Sequence, residues 1–264
     1  MKFGRWISLI FSLVKRDYAV QYAGTSLGIA WLIIQNLFQV GIFYLLFGFI
    51  LGSNAVERPA TSASGMGSGK EYLVYLLGGM SLWLPLSEML IRSCGILSEN
   101  RSLIRRTSIG ISAFMWIPVF EAVLHYAIIF FPSCLIAYYN GRLSGNFLFA
   151  FAWGVGVIVL FSGWGFILAR VSVLLKDVSP LLRLVLQIVF WATPIVYMAP
   201  ENLLVYFQWN PFFFFMDYHR QLFSAFDPVG FLLHGRGLGL FLVLSIPAYV
   251  ISGRKLSALI SDHI

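Results

Sequence analysis

The stretch Phe147-Leu-Phe-Ala-Phe-Ala-Trp-Gly-Val-Gly-Val-Ile-Val-Leu-Phe-Ser-Gly-Trp-Gly-Phe-Ile-Leu168 runs for 22 residues without a charged side chain. At 1.5 Å per residue a helix of that length rises about 33 Å, enough to cross the ~30 Å hydrocarbon layer of a bilayer. On either side lie five more segments of the same kind, at 27–51, 73–91, 113–138, 181–197 and 237–253. The whole chain follows suit: 59% of its 264 residues are hydrophobic and 11% are charged, where a soluble domain carries about a quarter charged. A water-soluble globule is excluded. The expected fold is all-α, a polytopic membrane protein with six transmembrane helices in a single transmembrane domain spanning 1–264.

Ahead of the first span, residues 1–22 read as an amphipathic helix. Phe3, Ile7, Ile10, Val14 and Tyr18 share one face, while Arg5, Ser8, Ser12, Lys15 and Arg16 share the other, the pattern of a helix lying in the membrane interface. Ser8 and Ser12 interrupt the apolar run and no small-residue cleavage site follows, so this segment is read as retained and not as a signal peptide.

Lys and Arg set the orientation. On one side of a six-span frame fall Lys2, Arg5, Lys15 and Arg16; Arg92, Arg101, Arg105 and Arg106; Arg170, Lys176 and Arg183; and Arg254 and Lys255. Arg58, Lys70, Arg142, Arg220 and Arg236 fall on the other. The positive-inside rule therefore places both termini in the cytoplasm. The net charge of +7 follows from topology, because the basic residues cluster at span ends and form no stripe for nucleic acid. Cys94 and Cys134 lie at opposite ends of successive spans, too far apart to bridge. No disulfide framework or metal site is expected.

Two loops stand out. Thr61-Ser-Ala-Ser-Gly-Met-Gly-Ser-Gly69 resembles a phosphate loop only superficially, since Ser64 stands where Gly is needed and Glu71 where Ser or Thr is needed. A nucleotide site in this chain is not expected. The segment from Met198 to Arg236 is rich in aromatics and holds few charges. Pro200 and Glu201 suit the first turn of a short helix, and Asn210-Pro211 reads as an N-cap followed by Pro at the first helical position. Two short re-entrant helices are expected here, within 199–227, at about 200–206 and 211–226.

Three constellations carry candidate chemistry. In the link between spans two and three, Ser98, Glu99, Asn100, Arg101, Leu103, Ile104, Arg105 and Arg106 form a short basic segment that Ser98 could cap. It serves either as a topological anchor or as a docking helix with Leu103 and Ile104 as apolar contacts. In the first span Trp31, Gln35 and Gln39 recur at helical spacing beside Asn36 and Phe38; in the fifth, Arg183, Gln187 and Trp191 do the same. Such amides either bond neighbouring helices or line a path for a sugar chain, whose rings stack on aromatic faces. Glu121 and His125, four residues apart in the third span, suit either a proton relay or a pairing with each other or with a neighbouring span. Glu88 reads as a packing residue too. Nucleophilic catalysis has no candidate triad.

In order along the chain, Val14-Lys-Arg-Asp-Tyr18, Tyr22-Ala-Gly-Thr-Ser-Leu-Gly-Ile-Ala-Trp31, Leu97-Ser-Glu-Asn-Arg-Ser-Leu-Ile104, Leu174-Leu-Lys-Asp-Val178, Thr193-Pro-Ile-Val-Tyr197 and Trp209-Asn-Pro211 resemble the membrane (permease) subunit of type-2 ATP-binding cassette (ABC) polysaccharide exporters. That family includes O-antigen, capsule and teichoic-acid exporters. The resemblance implies a homodimer of this chain in the bacterial inner membrane, surrounded by membrane lipids. It also implies two copies of a cytoplasmic ABC ATPase that hold ATP and Mg, with no cofactor in this chain, and a lipid-linked glycan as cargo. By the same resemblance 98–106 is the coupling helix. Trp31, Gln35, Phe38, Gln39, Gln187, Trp191 and Tyr197 would line the channel, and Asn210, Pro211, Phe212 and Phe215 would belong to the outer gate. Arg16, Arg170, Lys176 and Arg183 stand at a depth that suits the lipid pyrophosphate. The sequence departs from the family pattern at Tyr22-Ala-Gly24, where many relatives carry a basic residue.

Two other readings share these features. A type-2 exporter of a drug or simple lipid would have the same frame. An integral membrane enzyme acting on a lipid carrier would need a cluster of acidic or histidine residues at one face, which only Glu121 and His125 approach. A proton-coupled transporter would be expected to show internal repeats, and none is evident.

Overall fold

The computed structural model describes residues 3–28, 30–50, 69–106, 110–197, 204–207 and 209–224. These are almost wholly helical; among them, pairing between extended segments is limited to an antiparallel bridge between Leu143 and Ser224. Helix α1 covers Phe3–Gln21 and α2 covers Ala30–Phe43, continued by a π-helical segment Tyr44–Ile50. Then come α3 (Gly69–Glu99), α4 (Arg101–Arg106), α5 (Ile111–Met115), α6 (Ile117–Tyr139) and α7 (Phe147–Leu174). Last among the described residues are α8 (Val178–Ala192), α9 (Leu204–Phe207) and α10 (Pro211–Phe223).

Four described stretches are long and apolar enough to cross a membrane: Ala30–Phe47, Gly69–Glu99, Ile111–Tyr139 and Phe147–Leu174. They match the first four expected spans. The fifth is present as the 15-residue apolar helix α8, shorter than expected because Pro194 follows Thr193 and cannot continue a helical ladder. The expected sixth span, 237–253, lies outside the described residues.

Helix α3 is central. Every residue from Val74 to Leu86 is buried, so this stretch is apolar on all sides because protein surrounds it on all sides. Helices α6 and α7 pack along it, and small residues set how closely. A Cβ at Gly154 of α7 would overlap the Tyr126 ring of α6, and one at Gly165 would press on the Ser93 hydroxyl of α3. Close approach of this kind is how membrane helices gain dispersion energy in a solvent as apolar as their own side chains. By contrast α2 and α8 lie at the side and leave much of their surface uncovered, with Phe38 and Ile188 each 68% exposed.

On α1 the buried stripe is Ile10, Leu13, Val14 and Asp17. The predicted amphipathic helix is therefore present over nearly its expected length, but part of its apolar face meets protein. Trp6 packs edge-on against Trp116 with ring centroids 5.9 Å apart, and the Tyr18 hydroxyl donates to the Glu121 carbonyl at 3.3 Å.

Candidate functional site

Polar side chains collect at two junctions, one at each end of the bundle. The basic junction joins α1, α3, α4 and α6. Its centre is the Arg92 guanidinium, which pairs with Asp17 of α1, with Glu99 at 2.6 Å and, through Nε, with Glu121 of α6 at 3.8 Å. Arg16 donates to the side-chain oxygen of Asn100, the residue at the turn between α3 and α4. Beside these groups opens a cavity of about 240 Å³ lined by Arg16, Asp17, Val20, Gln21, Arg92, Glu99, Asn100, Ser102 and Leu103. A second, smaller pocket shares Gln21 and Arg92 and reaches Glu88, Glu121 and His125. Burial, reinforced by the Glu121 and Glu88 carboxylates, holds the Tyr18 phenol well above its ordinary range and keeps it a donor.

The segment 98–106 is helical, with one correction to its start. Ser98 does not cap a helix: it lies in the last turn of α3, and its hydroxyl donates back to the Gly95 carbonyl at 2.8 Å. Asn100 makes the turn instead, its carbonyl accepting from Leu103 and Ile104 at 3.0 and 2.9 Å. On α4, Arg101, Arg105 and Arg106 are exposed while Leu103 and Ile104 are half-buried and pack on the core.

Glu121 and His125 do not pair with each other. The His125 Nδ1 contacts Glu88 of α3 at 2.5 Å, and its Nε2 contacts the side-chain nitrogen of Asn36 of α2 at 2.7 Å. A pairing with neighbouring spans was one of the sequence expectations. Among the described residues no group of three or more His, Cys, Asp or Glu side chains could hold a metal ion.

The aromatic junction joins α3, α6, α7, α10 and the chain after α8. Asn210 caps α10 by accepting from the Phe212 amide at 3.0 Å, and Pro211 takes the first helical position, as the sequence predicts. The Asn210 amide also donates to Thr193 Oγ1 at 2.9 Å. Phe213, Phe214 and Phe215 are buried, and Phe212 packs on Phe161 at 5.1 Å and Trp83 at 5.8 Å. Deeper in, Arg220 is 2% exposed. It donates to the carbonyls of Tyr75, Pro194 and Ile195 at 3.2, 2.9 and 2.5 Å and to the Tyr75 hydroxyl at 2.9 Å, while lying over that ring. A Cβ at Gly79 would overlap the guanidinium. Next to it His219 contacts the Gly78 carbonyl through Nδ1 and the Tyr126 hydroxyl through Nε2. Of the expected gate helices, the first is described only as α9, and 198–203 and the residues beyond 224 lie outside the description.

The two amide and aromatic stripes fall on uncovered faces. Trp31, Gln35, Phe38 and Gln39 on α2, and Gln187 and Trp191 on α8, are all exposed. They approach at one end, where Phe43 meets Trp191 and Phe190 at 6.4 and 5.4 Å, and the Tyr197 hydroxyl donates to the Trp191 carbonyl. The four cations assigned to pyrophosphate are not gathered into one cluster. Arg16 belongs to the α1 groove and Lys176 and Arg183 are exposed, whereas Arg170 of α7 is 6% exposed with Nε and Nη1 unbonded.

Sequence reasoning missed Asp17, Arg92 and Arg220 as site residues. The signal for Asp17 was a carboxylate continuing the Ile10, Leu13, Val14 stripe. For Arg220 it was a cation within a Phe-rich segment too apolar to be a plain loop, which calls for a partner at membrane depth.

No family model matches the chain. Among curated proteins it is similar to the O-antigen export system permease protein RfbA of Klebsiella pneumoniae, with 21% identity over 216 residues that cover 79% of this chain and 77% of that protein.

Proposed function

We propose that this chain is the permease subunit of an ATP-driven exporter that carries a lipid-linked polysaccharide from the cytoplasmic side across the bacterial inner membrane. The observation that carries this reading is the similarity to an O-antigen export permease over most of both chains. The four apolar helices long enough to span a membrane support a conduit. In this reading both termini are cytoplasmic, two copies of the chain pair, and two copies of a separate ABC ATPase bind and hydrolyse ATP with Mg.

The basic junction supports a division of labour. Exposed Arg101, Arg105 and Arg106 present charge to the ATPase, while Leu103 and Ile104 fix α4 to the bundle. Because α4 follows α3 after one turn residue, and α3 is held to α1 by the Arg92–Asp17 pair, a push on α4 would pass into α3, which is long enough to cross the membrane, and into α1 beside it. The uncovered faces of α2 and α8 would meet their counterparts in the second copy. Between them, amides and indoles would pass a sugar chain along without gripping any one unit.

Co-purification of the chain with its ATPase tests this. Replacing Arg105 and Arg106 by Glu should abolish recovery of the ATPase while the permease stays folded. Undiminished recovery, or glycan transport by vesicles holding this chain and no ATPase, would overturn the proposal.

A further inference from the structure

Asn36, His125 and Glu88 come from three helices, α2, α6 and α3, and their contacts fix the protonation of the imidazole. The Asn36 side-chain nitrogen lies 2.6 Å from the Leu32 carbonyl, an oxygen that can only accept, so the atom there is the amide NH2 group. Its second N–H points at His125 Nε2, 2.7 Å away. Nε2 must therefore be an acceptor, which leaves the ring proton on Nδ1, donated to the Glu88 carboxylate at 2.5 Å. His125 is 4% exposed, so water offers no easy substitute for the bond to Asn36, whereas the Glu88 side chain is 44% exposed.

We propose that Glu88, His125 and Asn36 form a positioning relay. A neutral imidazole protonated at Nδ1 holds α2 to the α3–α6 pair, and protonation at Nε2 releases it. With a proton on Nε2, two donors would face each other across 2.7 Å; the Asn36 amide could accept that proton only by turning over, which would break its bond to Leu32 and set its oxygen against the Leu32 carbonyl. The effect reaches further because α2 also carries Trp31, Gln35 and Gln39, while α3 leads into the coupling turn at Asn100. The charged and titratable groups around the relay are Glu88 and Arg92 from α3, Glu121 from α6, Tyr18 from α1 and Tyr22 just after it, with Asp17 of α1 beyond them on Arg92. The relay is a property of the helices alone, so its failure would leave the export reading untouched.

Two measurements on the full chain in lipid nanodiscs test it. In imidazole 15N spectra, the signal removed by His125→Gln should show Nδ1 protonated and Nε2 bare, and Asn36→Leu should shift Nε2; a proton found on Nε2 at neutral pH would overturn the proposal. Second, spin labels at Leu37 and Leu135, with Cys94 and Cys134 replaced by Ala, report the separation of α2 and α6. The unaltered relay should give one distance at about pH 8 and a second, shifted by about one helical turn or ~5 Å, at about pH 5. His125→Phe and Asn36→Leu should show the shifted distance at both pH values. His125→Gln should show the first distance at both, because its amide offers oxygen to Asn36 and N–H to Glu88 yet takes no proton. If His125→Gln kept the acid response, or Asn36→Leu left the distance unchanged at neutral pH, the relay would be wrong.

Discussion

The two junctions hold their helices by different means. At the aromatic end a single buried cation is surrounded by neutral acceptors, three carbonyls and a phenol, and packed beneath a layer of Phe and Trp rings. At the basic end one cation serves three carboxylates beside an open cavity, and Glu99 is 49% exposed. Carbonyls at the broken end of α8 have no other helical partner, so the first arrangement is a lock whose removal leaves buried groups unpaired. Ion pairs at a wet groove exchange readily for water and for each other, so the second is a clasp. A transporter whose motor acted at the basic end would need that asymmetry.

Changes at the lock should cost most. Arg220→Met strands the Ile195 carbonyl, leaves the Pro194 carbonyl only the Tyr75 hydroxyl, and should lower stability by about 3 kcal/mol, the upper end of the loss on leaving a buried acceptor without its donor. Thermal unfolding of the chain in nanodiscs would show it, and a variant as stable as the parent would mean that α10 is held by its rings alone. Next comes Gly154→Ala, which forces Tyr126 away from α7 and should cost about 1–3 kcal/mol in the same assay. Arg92→Leu leaves Asp17 and Glu121 facing each other without a cation, a loss of about 1–2 kcal/mol because the groove admits water. Its distinguishing sign is a spin-label distance change between α1 and α3 that Arg220→Met lacks. The smallest effect belongs to Glu99→Gln, under about 1 kcal/mol at so exposed a pair. Raising salt should reduce that difference further, and should leave the Arg220 variant's deficit as it was.

Much of this architecture is legible in the chain itself, for a physical reason. A helix that must bury its backbone in hydrocarbon announces itself by length and lack of charge, so the spans at 73–91, 113–138 and 147–168 needed no tertiary information. The cap at Asn210-Pro211 is equally local. What escaped notice was anything that depends on which helix faces which. Asp17 looks like part of a solvated N-terminal segment until Arg92, 75 residues away in sequence, is placed beside it. Glu121 and His125 share a face and invite pairing, yet neighbouring helices offer each a better partner. Ser98 has the chemistry of a cap, but α3 continues through it because nothing in Ile96-Leu97-Ser98-Glu99 interrupts the ladder.

Helix α3 is 31 residues long, about 46 Å from end to end against a hydrocarbon layer of ~30 Å. Standing upright it would overhang the hydrocarbon by some three turns, and in the proposed orientation the overhanging tip would carry Arg92 and Glu99. With its other end fastened at the aromatic lock, the helix has the geometry of an oar in a rowlock. A tilt of about 5° would swing the tip by about 4 Å over that length. Small rotations would thus suffice to carry a motor's stroke to the far face of the membrane.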